Sequence, residues 1–128
     1  MSRTRASARQ AGSRFERLIA DALALHIDDR IDRRVKTGNK DRGDIGGVRR
    51  WRGDLTHNTR IVLELKDYGG RVEVGPWLNE AEIERGHDDA LAGVVVAKRR
   101  GVSDPLDQTV LMTVRDFIAL VTGERTDR

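Results

Sequence analysis

The sequence predicts an α/β fold in which helices flank a mixed β-sheet, and three observations predict it. Apolar residues recur at helical spacing near both ends and around residues 76–84, residues 60–68 alternate between apolar and polar, and Val94-Val95-Val96 is apolar without alternation. The middle helix lies between those two strands, so a right-handed crossover makes them parallel. At 128 residues the chain fits one domain, assigned here to residues 13–123.

The elements follow in order. Residues 1–12 carry Arg3, Arg5 and Arg9 with no acid and read as a basic, disordered N-terminal arm. A first helix starts at Ser13, where Ser13 and Glu16 form a capping box and Phe15, Leu18, Ile19, Ala22 and Leu25 keep helical spacing. It fades at Asp28-Asp29. A strand over residues 33–37 precedes the turn Gly38-Asn39-Lys40, and residues 44–48 form a second short strand. Residues 60–68 are the third. Pro76 opens a helix carrying Trp77, Leu78, Ala81 and Ile83 among Glu80, Glu82 and Glu84. Strands at 94–96 and 109–114 follow. Thr113 caps a last helix with Phe117, Ile118, Leu120 and Val121, Gly123 stops it, and residues 124–128 form a tail.

Composition excludes several classes. Without cysteine there is no disulfide, thiolate metal site or cysteine nucleophile. The longest clean apolar run, residues 91–97, is strand-sized, so no segment spans a membrane. The N-terminus lacks the apolar stretch of a secretory signal, so a cytoplasmic location is expected, in a bacterium or in a virus-infected host cell. The net charge of +3 conceals an asymmetry: residues 1–60 hold 15 Lys and Arg against 8 Asp and Glu, residues 61–128 hold 9 against 13. A polyanion met by the first half accounts for this, as does a base composition favouring Arg over Lys.

The chemistry sits on the third strand. Alternation over Ile61-Val62-Leu63-Glu64-Leu65-Lys66 puts Glu64 and Lys66 on one face, about 6.6 Å apart. Asp44 follows a glycine on a strand able to lie alongside. Two converging carboxylates form an oxygen-ligand site for Mg²⁺ or Mn²⁺, and a neighbouring lysine orients water or offsets transition-state charge. A plain cross-strand ion pair on a solvated face is the alternative, and Val62 on the same face sits badly with it.

This pattern resembles the PD-(D/E)XK nuclease superfamily, with Asp44 in Arg42-Gly43-Asp44-Ile45 and Glu64-Leu65-Lys66 as the E-x-K half. Gly43 stands where the name-giving proline would be. The chain is most similar to the Holliday junction resolvase branch, whose additional acid on the first helix is matched by Glu16, although Glu16 serves equally as a cap. Over residues 13–100 the resemblance implies a restriction-endonuclease-like αβββαβ core and a Mg²⁺-dependent endodeoxyribonuclease acting on branched DNA in recombination and repair. It implies catalytic Glu16, Asp44, Glu64 and Lys66, with Mg²⁺ (Mn²⁺ as substitute) held by Asp44, Glu64 and the Leu65 carbonyl. A four-way junction has two-fold symmetry, so a homodimer follows.

Cations cluster around Asp44. Arg33, Arg34, Lys36, Lys40 and Arg42 precede it and Arg49, Arg50 and Arg52 follow, as phosphate contacts or as a solvated charge run. Trp51 among them stacks on a base, or packs in the core or a dimer contact. Two other functions fit the sequence: a non-catalytic nucleic-acid-binding module of the same fold, and an interaction domain whose Glu80, Glu82 and Glu84 meet a basic partner.

Overall fold

The computed structural model describes residues 3–35, 40–50 and 58–126. Helix α1 (Arg5–His26) leads into strands β1 (Asp32–Arg33), β2 (Ile45–Gly46) and β3 (Ile61–Lys66). Helix α2 (Val74–Asp88), strand β4 (Ala92–Ala97), a 3₁₀ turn at Pro105–Asp107, strand β5 (Thr109–Leu111) and helix α3 (Val114–Thr122) complete the chain. The strands form one sheet in sequence order. β3 and β4 run parallel and the other neighbours antiparallel, so the α/β class with a mixed sheet is observed.

Several boundaries differ from expectation, the start of α1 most of all. Helix α1 starts at Arg5, not Ser13, so its first two turns occupy residues expected to form a disordered arm. The Thr4 hydroxyl caps it, accepting from the Ser7 N–H at 3.0 Å, and the alanine-rich run behind propagates it. Ala11 belongs to the same buried stripe as Phe15 and Ile19. β1 and β2 are shorter than expected, with pairing resuming at one isolated bridge between Arg49 and Arg60. Residues 36–39 lie outside the described residues.

Two apolar layers cover the sheet. Phe15, Ile19 and Ala20 of α1 pack against Leu63, Leu65, Val94 and Val96 on one face. Trp77 and Ala81 of α2 pack against Val95 and Ala97 on the other. Alternation along β3 therefore sends its leucines to α1, and Val62, Glu64 and Lys66 to α2. Helix α2 crosses β4 closely: a Cβ on Gly93 would lie 2.7 Å from the Ala81 carbonyl oxygen. Only glycine lets α2 settle at that distance, and α2 carries acids over β3.

Helix α3 follows expectation, with the Thr113 hydroxyl accepting from the Asp116 N–H and Gly123 closing it in the left-handed conformation. Asp116 and Ala119 face inward, where Asp116 accepts from the Gly93 N–H and from Arg125. The opposite side, Val114, Phe117, Ile118 and Val121, is an exposed apolar stripe at i, i+3, i+4 and i+7 spacing. Among the described residues no helix is long and apolar enough to cross a membrane.

Candidate metal centre

Strand β3 presents Glu64 and Lys66 beneath α2, and the chain leading into β2 brings Asp44 beside them. The Asp44 N–H donates to the Leu63 carbonyl at 2.8 Å, and its Oδ2 accepts from the Leu65 N–H at 2.7 Å. Backbone on both sides of Glu64 thus fixes Asp44, whose carboxylate lies within hydrogen-bond reach of Glu64. The sequence expectation that Asp44, Glu64 and Lys66 share one site describes this geometry.

The backbone requires glycine at position 43, where the motif that the sequence resembles has proline. Its φ is +95°, and a Cβ there would lie 2.7 Å from Val62 Cγ1 and 3.0 Å from the Leu63 carbonyl oxygen. Proline needs φ near −65°, so it has no place at this turn. Gly43→Ala is expected to lower the unfolding free energy by about 2 kcal/mol through backbone strain. Urea denaturation checks this, and an unchanged midpoint would contradict it.

Two further acids, Asp41 and Glu84, converge on Glu64. Asp41 Oδ1 accepts from the Gly43 N–H at 3.0 Å, and its carbonyl oxygen meets His87 Nδ1 of α2 at 2.8 Å. Glu84 is buried on α2, on the stripe that also buries Trp77 and Ala81. Ligand atoms of Asp41, Glu64 and Glu84 all lie within 4.8 Å of one another.

Burial and then the neighbouring Glu84 and Asp44 push the Glu64 carboxyl far above the usual carboxylate range. Glu84 is also raised, by burial first and then by Asp41 and Glu80, while its hydrogen bond with Glu64 partly offsets them. For Lys66, burial favours the neutral amine, but Glu80 at 2.6 Å and Glu64 at 3.8 Å outweigh it and raise its pKa. Lys66 is therefore a fixed ammonium. Buried Glu64 Oε2 and Glu84 Oε2 have no hydrogen-bond partner. Unpartnered carboxylate oxygens are the hard donors that a divalent cation such as Mg²⁺ takes, although the Lys66 ammonium also stands 3.8 Å from Glu64.

The other candidates are dispersed. Glu16 Oε1 accepts from Arg33 Nε at 3.2 Å and stands outside the Asp41–Glu64–Glu84 group. Arg34 pairs with Asp88, Arg49 reaches the Thr59 hydroxyl, and Arg50 donates to the Leu120 and Val121 carbonyls at the end of α3. Lys40 and Arg42 are exposed. Lys36, Trp51 and Arg52 lie outside the described residues. The acids of α2 do not form an outward patch: Glu80 takes Lys66, Glu82 takes Arg85 and Arg125, and Glu84 is buried.

A basic groove of about 770 Å³ opens at the end of β3, beside the first turns of α1. Arg3, Arg9, Lys66, Tyr68, Arg71 and Arg100 line it. Lys66 belongs both to this groove and to the acidic cluster, joining a cationic surface to an acidic one. Arg71 and Arg100 escape sequence reasoning because they stand far from Asp44 in the chain. Comparison with known protein families, with characterised proteins and with solved structures finds no match.

Proposed function

We propose that the protein is a metal-dependent DNA endonuclease with a restriction-endonuclease-like core, most similar in its motifs to Holliday junction resolvases. The observation that carries this reading is the convergence of Asp44, Glu64 and Lys66 on one face of β3, beside a groove lined by arginines. Asp44 and Glu64, with the Leu65 carbonyl, would hold Mg²⁺ or Mn²⁺. When bound, the cation lowers the pKa of an attacking water and neutralises charge on the scissile phosphate.

The chain's own residues do the rest. Lys66 is held as an ammonium, so it binds a phosphate oxygen and steadies charge developing at phosphorus; it does not accept the proton of water. Asp44 keeps its orientation through its backbone bonds, which fixes the ligand geometry before substrate arrives. Arg9, Arg71 and Arg100 hold the sugar–phosphate backbone along the groove. In-line hydrolysis leaves a 3′-hydroxyl and a 5′-phosphate. The test is incubation with labelled four-way junction, flap and linear duplex DNA, in Mg²⁺ or in EDTA. Mg²⁺-dependent scission, fastest on the junction, is the expected result. Salt-dependent binding without scission would favour a non-catalytic nucleic-acid-binding module.

A resolvase acts as a homodimer, and the exposed stripe of α3 supplies the surface. Val114, Phe117, Ile118 and Val121 leave on the order of 400 Å² of apolar area facing solvent, comparable to the largest patches monomers carry. Two such stripes packed about a two-fold axis bury each other, as an isologous interface requires. Phe117→Glu is expected to convert a dimer into a monomer in sedimentation equilibrium, and a wild-type monomer at 100 µM would contradict the assignment.

A further inference from the structure

Tyr68 stands just past the end of β3, with its ring in the basic groove and no part in the acidic cluster. It is 45% exposed, and its hydroxyl makes no hydrogen bond among the described residues. An aromatic side chain that serves the core is covered, as Trp77 beside it is, at 3% exposed against Val95 and Ala97. Tyr68 leans on that buried ring, with centroids 5.2 Å apart and planes at 58°. The core therefore orients a ring that solvent still reaches.

Cations surround it. Lys66 Nζ lies 5.9 Å from the Tyr68 centroid and 6.0 Å from that of Trp77, and the Arg71 guanidinium lies 5.5 Å from Tyr68. Two other arginines of the groove are engaged: Arg3 pairs with Asp67, and Arg100 donates to the Gly69 carbonyl. Arg9 and Arg71 have no acid partner among the described residues. Across the groove, α1 presents Ala8 and Gly12 one turn apart, and a Cβ on Gly12 would meet nothing within 4 Å. The volume of about 770 Å³ is that of sites that enclose single small molecules, so it admits nucleotides of one strand but no duplex.

We propose that Tyr68 is a stacking platform for an unpaired nucleobase, with Arg9 and Arg71 on the phosphates of the same strand. A ring held from one side by Trp77 and open on the other stacks on any base, because every base has a π-face. Arg71, tied to no acid, leaves the ring for the phosphate when a base arrives. Lys66 adjoins both the platform and the acids, so the unpaired nucleotide lies next to the phosphate that is cut. This last point rests on the proposed nuclease reading, and it restricts the substrate to DNA with unpaired nucleotides at the cleavage point; the platform itself does not depend on scission.

Binding of the full chain to a fluorescent oligothymidylate and to a duplex of the same length, in EDTA to prevent scission, tests the inference. The wild type is expected to bind the single strand at least about tenfold more tightly than the duplex. Tyr68→Leu, which keeps an apolar contact with Trp77 but has no π-face, should lose about tenfold on the single strand and less than twofold on the duplex. Tyr68→Phe should bind as the wild type does. A 2-aminopurine in the oligonucleotide should be quenched by the wild type and by Tyr68→Phe, and not by Tyr68→Leu. Arg71→Gln should lower the salt dependence of single-strand binding by about 0.7 in log–log slope. Melting confirms that each variant folds. Equal affinity for strand and duplex, or single-strand binding indifferent to Tyr68→Leu, overturns the platform. Ring-dependent binding with no scission in Mg²⁺ at any pH overturns the nuclease reading alone, and junction scission with binding indifferent to residue 68 overturns the platform alone.

Discussion

Glu64→Gln is expected to abolish junction cleavage while leaving the fold intact. The substitution keeps the shape of the carboxyl but removes its charge. Losing a charged ligand beside Asp44 forfeits several kcal/mol of transition-state stabilisation, about a thousandfold in rate. Stability without metal responds differently. Burial, Glu84 and Asp44 keep Glu64 protonated at neutral pH, so glutamine replaces a group that was already neutral. Melting in EDTA should therefore shift by no more than a few degrees, and the rise in melting temperature on adding Mn²⁺ should disappear. Cleavage within tenfold of wild type would remove Glu64 from the chemistry.

The second large effect is on the pH dependence of stability. The folded protein raises the carboxyl of Glu84 from 4.5 to about 7 and that of Glu64 from 4.5 to about 11. Between those limits the native state retains protons that the unfolded chain has released. The stabilisation is fully present below pH 4.5 and is lost as pH rises, by up to about 1.4 kcal/mol per pH unit for each proton so retained. Urea denaturation in EDTA should thus show stability falling between pH 5 and pH 8. Mg²⁺ reverses the trend, because cation ligation requires deprotonated carboxylates and stabilises only the folded chain. A metal-induced gain larger at pH 8 than at pH 6 is expected, and stability that rises with pH in EDTA would contradict the buried-acid account.

The strand carrying the motif was legible because its alternation leaves Glu64 and Lys66 no other shared face, and because an unbroken apolar strand follows one helix later. The cap and stop of α3 were legible for local reasons: Thr113 and Gly123 act through their own turns. The start of α1 was not. Ser13 and Glu16 imitate a capping box in mid-helix, and Glu16 instead serves Arg33, which only tertiary contact can show. Asp41 and Glu84 were missed for two reasons. Asp41 reaches the site through a turn that Gly43 and His87 shape. Glu84 was hidden by being read as solvent-facing together with Glu80 and Glu82, although its spacing from Trp77 and Ala81 puts it on the buried stripe. An acid on the apolar face of a helix was the available signal. Among the arginines near Asp44, Arg34 binds an acid and Arg50 carbonyls of the same chain, and a charge run does not reveal which of its members do so.

The most direct measurement is the anomalous difference density of crystals grown in MnCl₂, collected at the manganese absorption edge. The account predicts a peak bounded by the carboxylates of residues 44 and 64, with the ammonium of Lys66 alongside. Crystals that diffract well, yet show those side chains bonded only to each other and to protein, would contradict it.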